Sequence, residues 1–229
     1  MKPSVIKCIM SPKIYQAALE FTANAERDEW GGIGIGSYTR AGEVLLKGMV
    51  FPPQYRHNLA YCAFESKYVA LLKFALEDLG LRPQIQLVAW IHSHAGHGIF
   101  LSDMDQQTFA ELLGENERLI ALVAEPVQGE IGAFSGTLAD QRIGIEQREL
   151  ILKEEERIRL ALLEWMLPEM VKILMPPMPT SYSVENLLDV TISLAEKIVK
   201  LRQWLAAYEL GRQADQAAAA EGAVSADDD

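Results

Sequence analysis

Nowhere in the chain do about 18 apolar residues run together, the length a membrane-crossing helix needs, and the start, MKPSVIKCIMSPKIY, has no apolar run long enough for a secretory signal. Cysteine is nearly absent. Cys8 and Cys62 are the only two in 229 residues, too few for a disulfide framework or a cysteine-built zinc finger. Positive charge is the scarcer sign, with 21 Lys and Arg against 32 Asp and Glu for a net charge of −11. Nucleic-acid backbones and anionic membranes attract Lys and Arg, so neither is expected as a partner. Asp215, Glu221, Asp227, Asp228 and Asp229 account for five of those eleven charges, so the body of the chain is acidic as well. The expectation is a soluble protein of the cytoplasm.

With 49% hydrophobic residues the chain can bury a substantial core. SVIKCIM reads as a strand. SPKIYQAALEFTANA reads as a helix with Ser11 as N-cap, Pro12 in the first turn and a stripe of Ile14, Ala18, Phe21 and Ala25. GGIGIGSYTR and EVLLKGMVF follow as two strands joined at Ala41 and Gly42, then the amphipathic helix AFESKYVALLKFALEDLG and the buried strand IQLVAWIH. SDMDQQTFAELLGEN is a helix capped by its serine, and LIALVAE and EIGAFSG are strands. This order predicts an α/β fold in which a mixed β-sheet is flanked by helices. From about residue 138 the texture turns to charged helix. Val184, Leu187, Thr191, Leu194, Ile198, Leu201, Leu205 and Tyr208 then follow a heptad spacing beyond the prolines Pro176, Pro177 and Pro179. The expected division is a main domain over 1–137, a helical extension over 138–212 that can form a hairpin, and a disordered acidic tail over 213–229. The seam is expected to bury against the preceding helix, or against a second copy or a partner protein.

Residues 89–105, AWIHSHAGHGIFLSDMD, gather three of the four histidines at the exit of an apolar strand. On a strand, His92 and His94 leave the same face with α-carbons roughly 7 Å apart, within reach of one ion, while Ser93 points the other way. By itself, H-x-H also describes two surface histidines on an edge strand. If Ser102 caps the next helix, Asp105 lies in its first turn and can face the strand end. Two nitrogens and one oxygen then make an open three-ligand site of the kind zinc uses in catalysis. Dipole compensation at the helix start is the plainer role for Asp103 or Asp105. His97 reads as a solvent-facing loop residue.

His92, His94, Ser102 and Asp105 match H-x-H-x7-S-x2-D, which resembles the signature of the JAMM (MPN+) metalloprotease family. EWGGIGIG resembles that family's upstream E-x-x-G-[IL]-x-x-G, with Glu29, Gly32, Ile33 and Gly36 in place; Ala95 stands where the family usually has proline. The resemblance runs loosely over residues 5–137. It implies an MPN/JAMM-like, cytidine-deaminase-like core, a Zn²⁺ held by His92, His94 and Asp105, and Glu29 as general acid and base, with Glu26 the weaker competitor. Ser102 would help hold the oxyanion, or serve as N-cap alone. The implied activity is isopeptidase cleavage after the C-terminal glycine of ubiquitin or a ubiquitin-like protein. Release of an amino acid or peptide from a sulfur-carrier-type protein, and a non-catalytic MPN scaffold, remain alternatives. The glycine-rich GGIGIG strand is expected to offer backbone on which a substrate tail pairs as an added strand.

Overall fold

The computed structural model describes residues 5–24, 28–58, 61–136 and 142–176, together with positions 199, 200, 202–204, 206 and 207. In chain order the elements are β1 (Lys7–Met10), α1 (Pro12–Ala23), β2 (Gly31–Tyr38), β3 (Glu43–Phe51), β4 (Gln54–Asn58), β5 (Tyr61–Phe64), α2 (Ser66–Asp78) and β6 (Gln86–Ser93). There follow α3 (Asp103–Glu115), β7 (Ile120–Glu125), β8 (Glu130–Ser135), β9 (Arg142–Gln147), α4 (Glu154–Ala161), α5 (Leu163–Met166) and β10 (Lys172–Leu174). The fold is α/β with a mixed sheet.

Eight strands lie in the order β1-β9-β8-β7-β6-β2-β3-β10, and β1 also pairs with β3, so the sheet bends round until its two ends meet. β1 runs parallel to both β3 and β9; β6 and β7 are also parallel, as the crossover through α3 requires. Strand alternation distributes the core. On β7, Ile120, Leu122 and Ala124 pack with Ile14, Ala18 and Leu19 of α1, whereas Ala121 and Val123 face Phe109 of α3. Ile33, Ile35 and Val50 of the sheet meet Leu72 and Leu76 of α2 and Ile158 and Met166 of α4 and α5. α1 starts where the sequence predicts, with Ser11 Oγ accepting from the Ile14 amide at 3.2 Å and Pro12 in the first turn.

Three expectations are corrected. First, the stretch from residue 138 is not continuous charged helix: RIGIEQ forms β9, parallel to β1 and antiparallel to β8, and KIL forms β10 on β3. Ile143 and Ile145, with Arg142, Gly144 and Glu146 in alternation, pack against the core that contains β1, a period of two that the surrounding charges mask. Second, Gln54–Asn58 and Tyr61–Phe64 form a separate two-stranded ribbon not anticipated from the sequence. Third, β2 has no open edge, because it is bonded to β3 on one side and β6 on the other. Its glycines serve packing instead: a Cβ on Gly34 would lie 2.6 Å from Ala89 Cβ, and one on Gly32 would lie 2.7 Å from Phe51.

Most of the heptad seam lies outside the described residues, as do Glu26, Pro177, Pro179 and the acidic tail. Where residues 199–207 are described they are helical, and they rest on α2: the Trp204 ring stacks on Phe74 at 5.4 Å, and Lys200 Nζ donates to Asp78 Oδ1 at 3.0 Å. Among the described residues no helix is long and apolar enough to cross a membrane.

Candidate metal centre

The parallel crossover from β6 through α3 to β7 brings the strand exit and the helix start together, and His92, His94, Ser102 and Asp105 meet there. His92 and His94 leave one face of β6 while Ser93 leaves the other. Ser93 is fully buried and fastens the Glu29–Trp30 segment: its Oγ accepts from the Trp30 amide at 2.9 Å and its own amide donates to Trp30 O at 3.1 Å. The β2–β6 register pairs Gly31 with His92, so Glu29, two residues earlier, falls beside His94. The Glu29 amide donates to Asn58 O at 2.8 Å, tying it to the β4–β5 ribbon as well.

Ser102 is the N-cap of α3 in a reciprocal capping box. Its Oγ accepts from the Asp105 amide at 3.2 Å, and both its amide and its hydroxyl donate to Asp105 Oδ2, at 2.8 and 2.6 Å. The box turns the Asp105 carboxylate back toward β6. His92 Nε2 then lies 3.1 Å from His94 Nε2 and 3.4 Å from Asp105 Oδ1, and His94 Nε2 lies 3.3 Å from Asp105 Oδ2. Nitrogen and oxygen ligands held tetrahedrally at 2.0–2.1 Å from one ion stand about 3.3 Å apart. The two Nε2 atoms stand near that spacing, the short contacts to Asp105 run to its two different oxygens, and one ligand atom from each of the three buried side chains lies within 4.8 Å of the others, so the group can hold a metal ion. Glu29 Oε1 sits 3.7 Å from His94 Nε2, just outside the triangle. His97, by contrast, is exposed and stands apart from the group.

Electrostatics follow from burial and proximity. Burial, with the Asp105 charge adding to it and the His94 charge opposing, raises the Glu29 carboxyl to about 7. Burial would raise Asp105 too, but hydrogen bonds from His92, His94 and Ser102 outweigh it and hold the carboxylate far below its ordinary range. Burial lowers His92, which favours the neutral imidazole that a metal needs. For His94 burial acts in the same direction, yet the Asp105 hydrogen bond and the Glu29 and Asp105 charges prevail and raise it.

The two imidazoles are oriented differently. His94 Nδ1 lies 3.2 Å from Gly98 O, and as donor to that carbonyl it leaves Nε2 free as an electron-pair donor. His92 Nδ1 has no hydrogen-bond partner among the described residues, and its ring is instead stacked on Trp90 at 4.4 Å. Phe100 covers His94 at 4.8 Å. Sequence reasoning missed Trp90, Gly98, Phe100 and Glu125. The last is a fully buried carboxylate at the end of β7, held by the amides of Gly96, Gly98 and Val127. Burial would raise its carboxyl, but those backbone donors overcome the effect and lower it. The available signal was a charge closing the otherwise apolar strand IALVAE.

A groove of about 540 Å³ runs from Glu29 and Asp105 along β6 as far as Gln86. β2 and β6 form its floor, with Ile33 and Trp90; Tyr61–Phe64 of β5 and Val69 of α2 form one wall, and Met104 and Leu112 of α3 the other.

No family model matches the chain. It is 28% identical over 126 residues to the 26S proteasome non-ATPase regulatory subunit 14 of Drosophila melanogaster, covering 55% of this chain and 39% of that protein. It is 29% identical over 101 residues to the ubiquitin carboxyl-terminal hydrolase RPN11 of Saccharomyces cerevisiae, covering 44% and 32% respectively. The 26S proteasome regulatory subunit RPN11 of Candida glabrata matches to the same extent. Among solved structures, the protein DSY2949 from Desulfitobacterium hafniense is similar in fold, with a TM-score of 0.52 at 12% identity over 63% of this chain and 94% of that one. The chain thus spans between about a third and two fifths of the length of these curated relatives, and its similarity to them covers about half of its own length.

Proposed function

We propose that the chain is a JAMM-type zinc hydrolase that cuts the amide bond after the terminal glycine of a ubiquitin-like tail. The observation that carries the reading is the buried group of His92, His94 and Asp105, whose ligand atoms lie within 4.8 Å of one another, with the Glu29 carboxylate 3.7 Å from His94 and a groove leading away from it. The similarity to a ubiquitin carboxyl-terminal hydrolase supports the substrate class.

Zinc held by His92, His94 and Asp105 supplies Lewis acidity that brings the pKa of water from about 15.7 toward 7. The protein's own residues do the remainder. Glu29, with its carboxyl raised to about 7, takes a proton from the attacking water and delivers it to the departing amine. Ser102 fixes the Asp105 carboxylate through its amide and hydroxyl, and that hydroxyl, whose one proton is given to Asp105 Oδ2, can serve a developing oxyanion only by turning away from the carboxylate. The tail lies extended in the groove. β2 offers it no edge, but β5 lines the groove and, among the described residues, is bonded to β4 alone, so main-chain pairing falls to β5.

The test is to load the purified chain with zinc and incubate it with ubiquitin-like proteins from its own source, fused at the terminal glycine to a reporter. Cleavage that stops on chelation and returns with zinc is the expected result. Full cleavage after exhaustive chelation removes the metal from the reaction.

A further inference from the structure

We propose that Glu125 is a positioning residue for the metal centre: it folds the loop after His94 so that the Gly98 carbonyl fixes the His94 imidazole. This rests on reading His92, His94 and Asp105 as metal ligands.

The sheet sets the placement. β7 runs parallel to β6 with His92 opposite Val123 and Ser93 opposite Ala124, and the His94 amide donates to Ala124 O at 2.8 Å. Glu125 is the next residue on β7, so its side chain meets the chain as it leaves His94. One carboxylate oxygen accepts from the amides of Gly96, at 2.9 Å, and Val127, at 3.0 Å; the other accepts from the Gly98 amide at 2.7 Å. A carboxylate with no solvent exposure needs such charge-assisted partners, and here it draws two alternate amides of one loop onto itself. Gly96 and Gly98 have φ of 85° and 89°, a left-handed backbone that glycine adopts without strain.

The consequence passes through a single residue. Glu125 holds the Gly98 amide, and the Gly98 carbonyl faces His94 Nδ1 at 3.2 Å. That bond determines which imidazole nitrogen carries hydrogen and directs Nε2 toward His92 and Asp105. Glu125 therefore acts on the ligand from one residue away without touching it.

The experiment compares the wild type with Glu125→Gln and Gly98→Ala. Glutamine keeps the shape but turns one acceptor into a donor facing amide donors. A Cβ on Gly98 meets nothing within 4 Å, so alanine disturbs only the left-handed backbone. Three quantities are read: the zinc dissociation constant by competition with a chromophoric chelator, the visible spectrum of the cobalt-substituted protein, and the unfolding midpoint of the metal-free protein. Both variants are expected to bind zinc about 10- to 100-fold more weakly, with altered cobalt bands. Folded Glu125→Gln with zinc affinity within twofold of wild type and an unchanged cobalt spectrum overturns the inference. So does a loss of affinity that merely tracks lost metal-free stability while the cobalt bands stay the same. If Glu125→Gln does not fold, Gly98→Ala decides by the same criteria. A wild type that takes up neither metal removes the metal reading itself, and this inference with it, before any variant is compared.

Discussion

Glu29 Oε1 lies 3.7 Å from His94 Nε2 because the antiparallel register of β2 and β6 pairs Gly31 with His92. Sixty-five positions separate the two residues in sequence, yet their spatial relation is fixed by strand pairing and by the Trp30–Ser93 hydrogen bonds on the far side of β6. The roles proposed for the two, ligand for His94 and proton carrier for Glu29, can be tested independently by mutation.

Glu29→Gln is expected to keep one zinc per chain while turnover falls by about 10²- to 10⁴-fold, the range for lost general acid–base help. Metal analysis and steady-state kinetics on one preparation check this. A variant that lost zinc in proportion to activity would place Glu29 among the ligands.

Ser102→Ala removes the α3 cap and one of the two donors to Asp105 Oδ2. Stability is expected to fall by about 0.5–2 kcal/mol, measured by urea unfolding of the metal-free protein. Zinc affinity is expected to fall as well, because the carboxylate loses a fixed orientation. An unchanged urea midpoint contradicts the capping account.

Gly34→Ala tests why β2 is glycine-rich. Its Cβ would stand 2.6 Å from Ala89 Cβ and 2.7 Å from Leu46 Cδ1, so the strand must shift at a cost of about 1–3 kcal/mol. If alanine is tolerated without loss of stability and only substrate turnover suffers, the glycine serves the substrate tail after all.

Much of this was legible in the sequence because local rules and tertiary packing agree there. Ser11 and Pro12 start α1, Ser102 caps α3, and His92, His94 and Asp105 come together as their spacing in the sequence suggests. What escaped depends on pairings remote in sequence. β9 owes its existence to β1, more than 130 residues earlier, while the charges around Ile143 and Ile145 suit a helix equally well. Glu125 is eloquent only once β7 is known to lie beside β6, and the two-sided pairing of β2 could not be read from GGIGIG itself.

The C-terminal segment bears on stability through α2. A double-mutant cycle on Phe74→Ala and Trp204→Ala is expected to give a coupling of about 0.5–1.5 kcal/mol for the stacked rings. Additive effects contradict docking of this segment on α2 in solution.

The most direct test of the central claim is intact-mass analysis of the products when the zinc-loaded chain meets a folded ubiquitin-like fusion. A single cut that leaves a free carboxylate on the terminal glycine is expected, and that cut is expected to be lost when the terminal glycines are replaced by valine. Cleavage indifferent to valine, or small amides turned over far faster than any protein fusion, contradicts that claim.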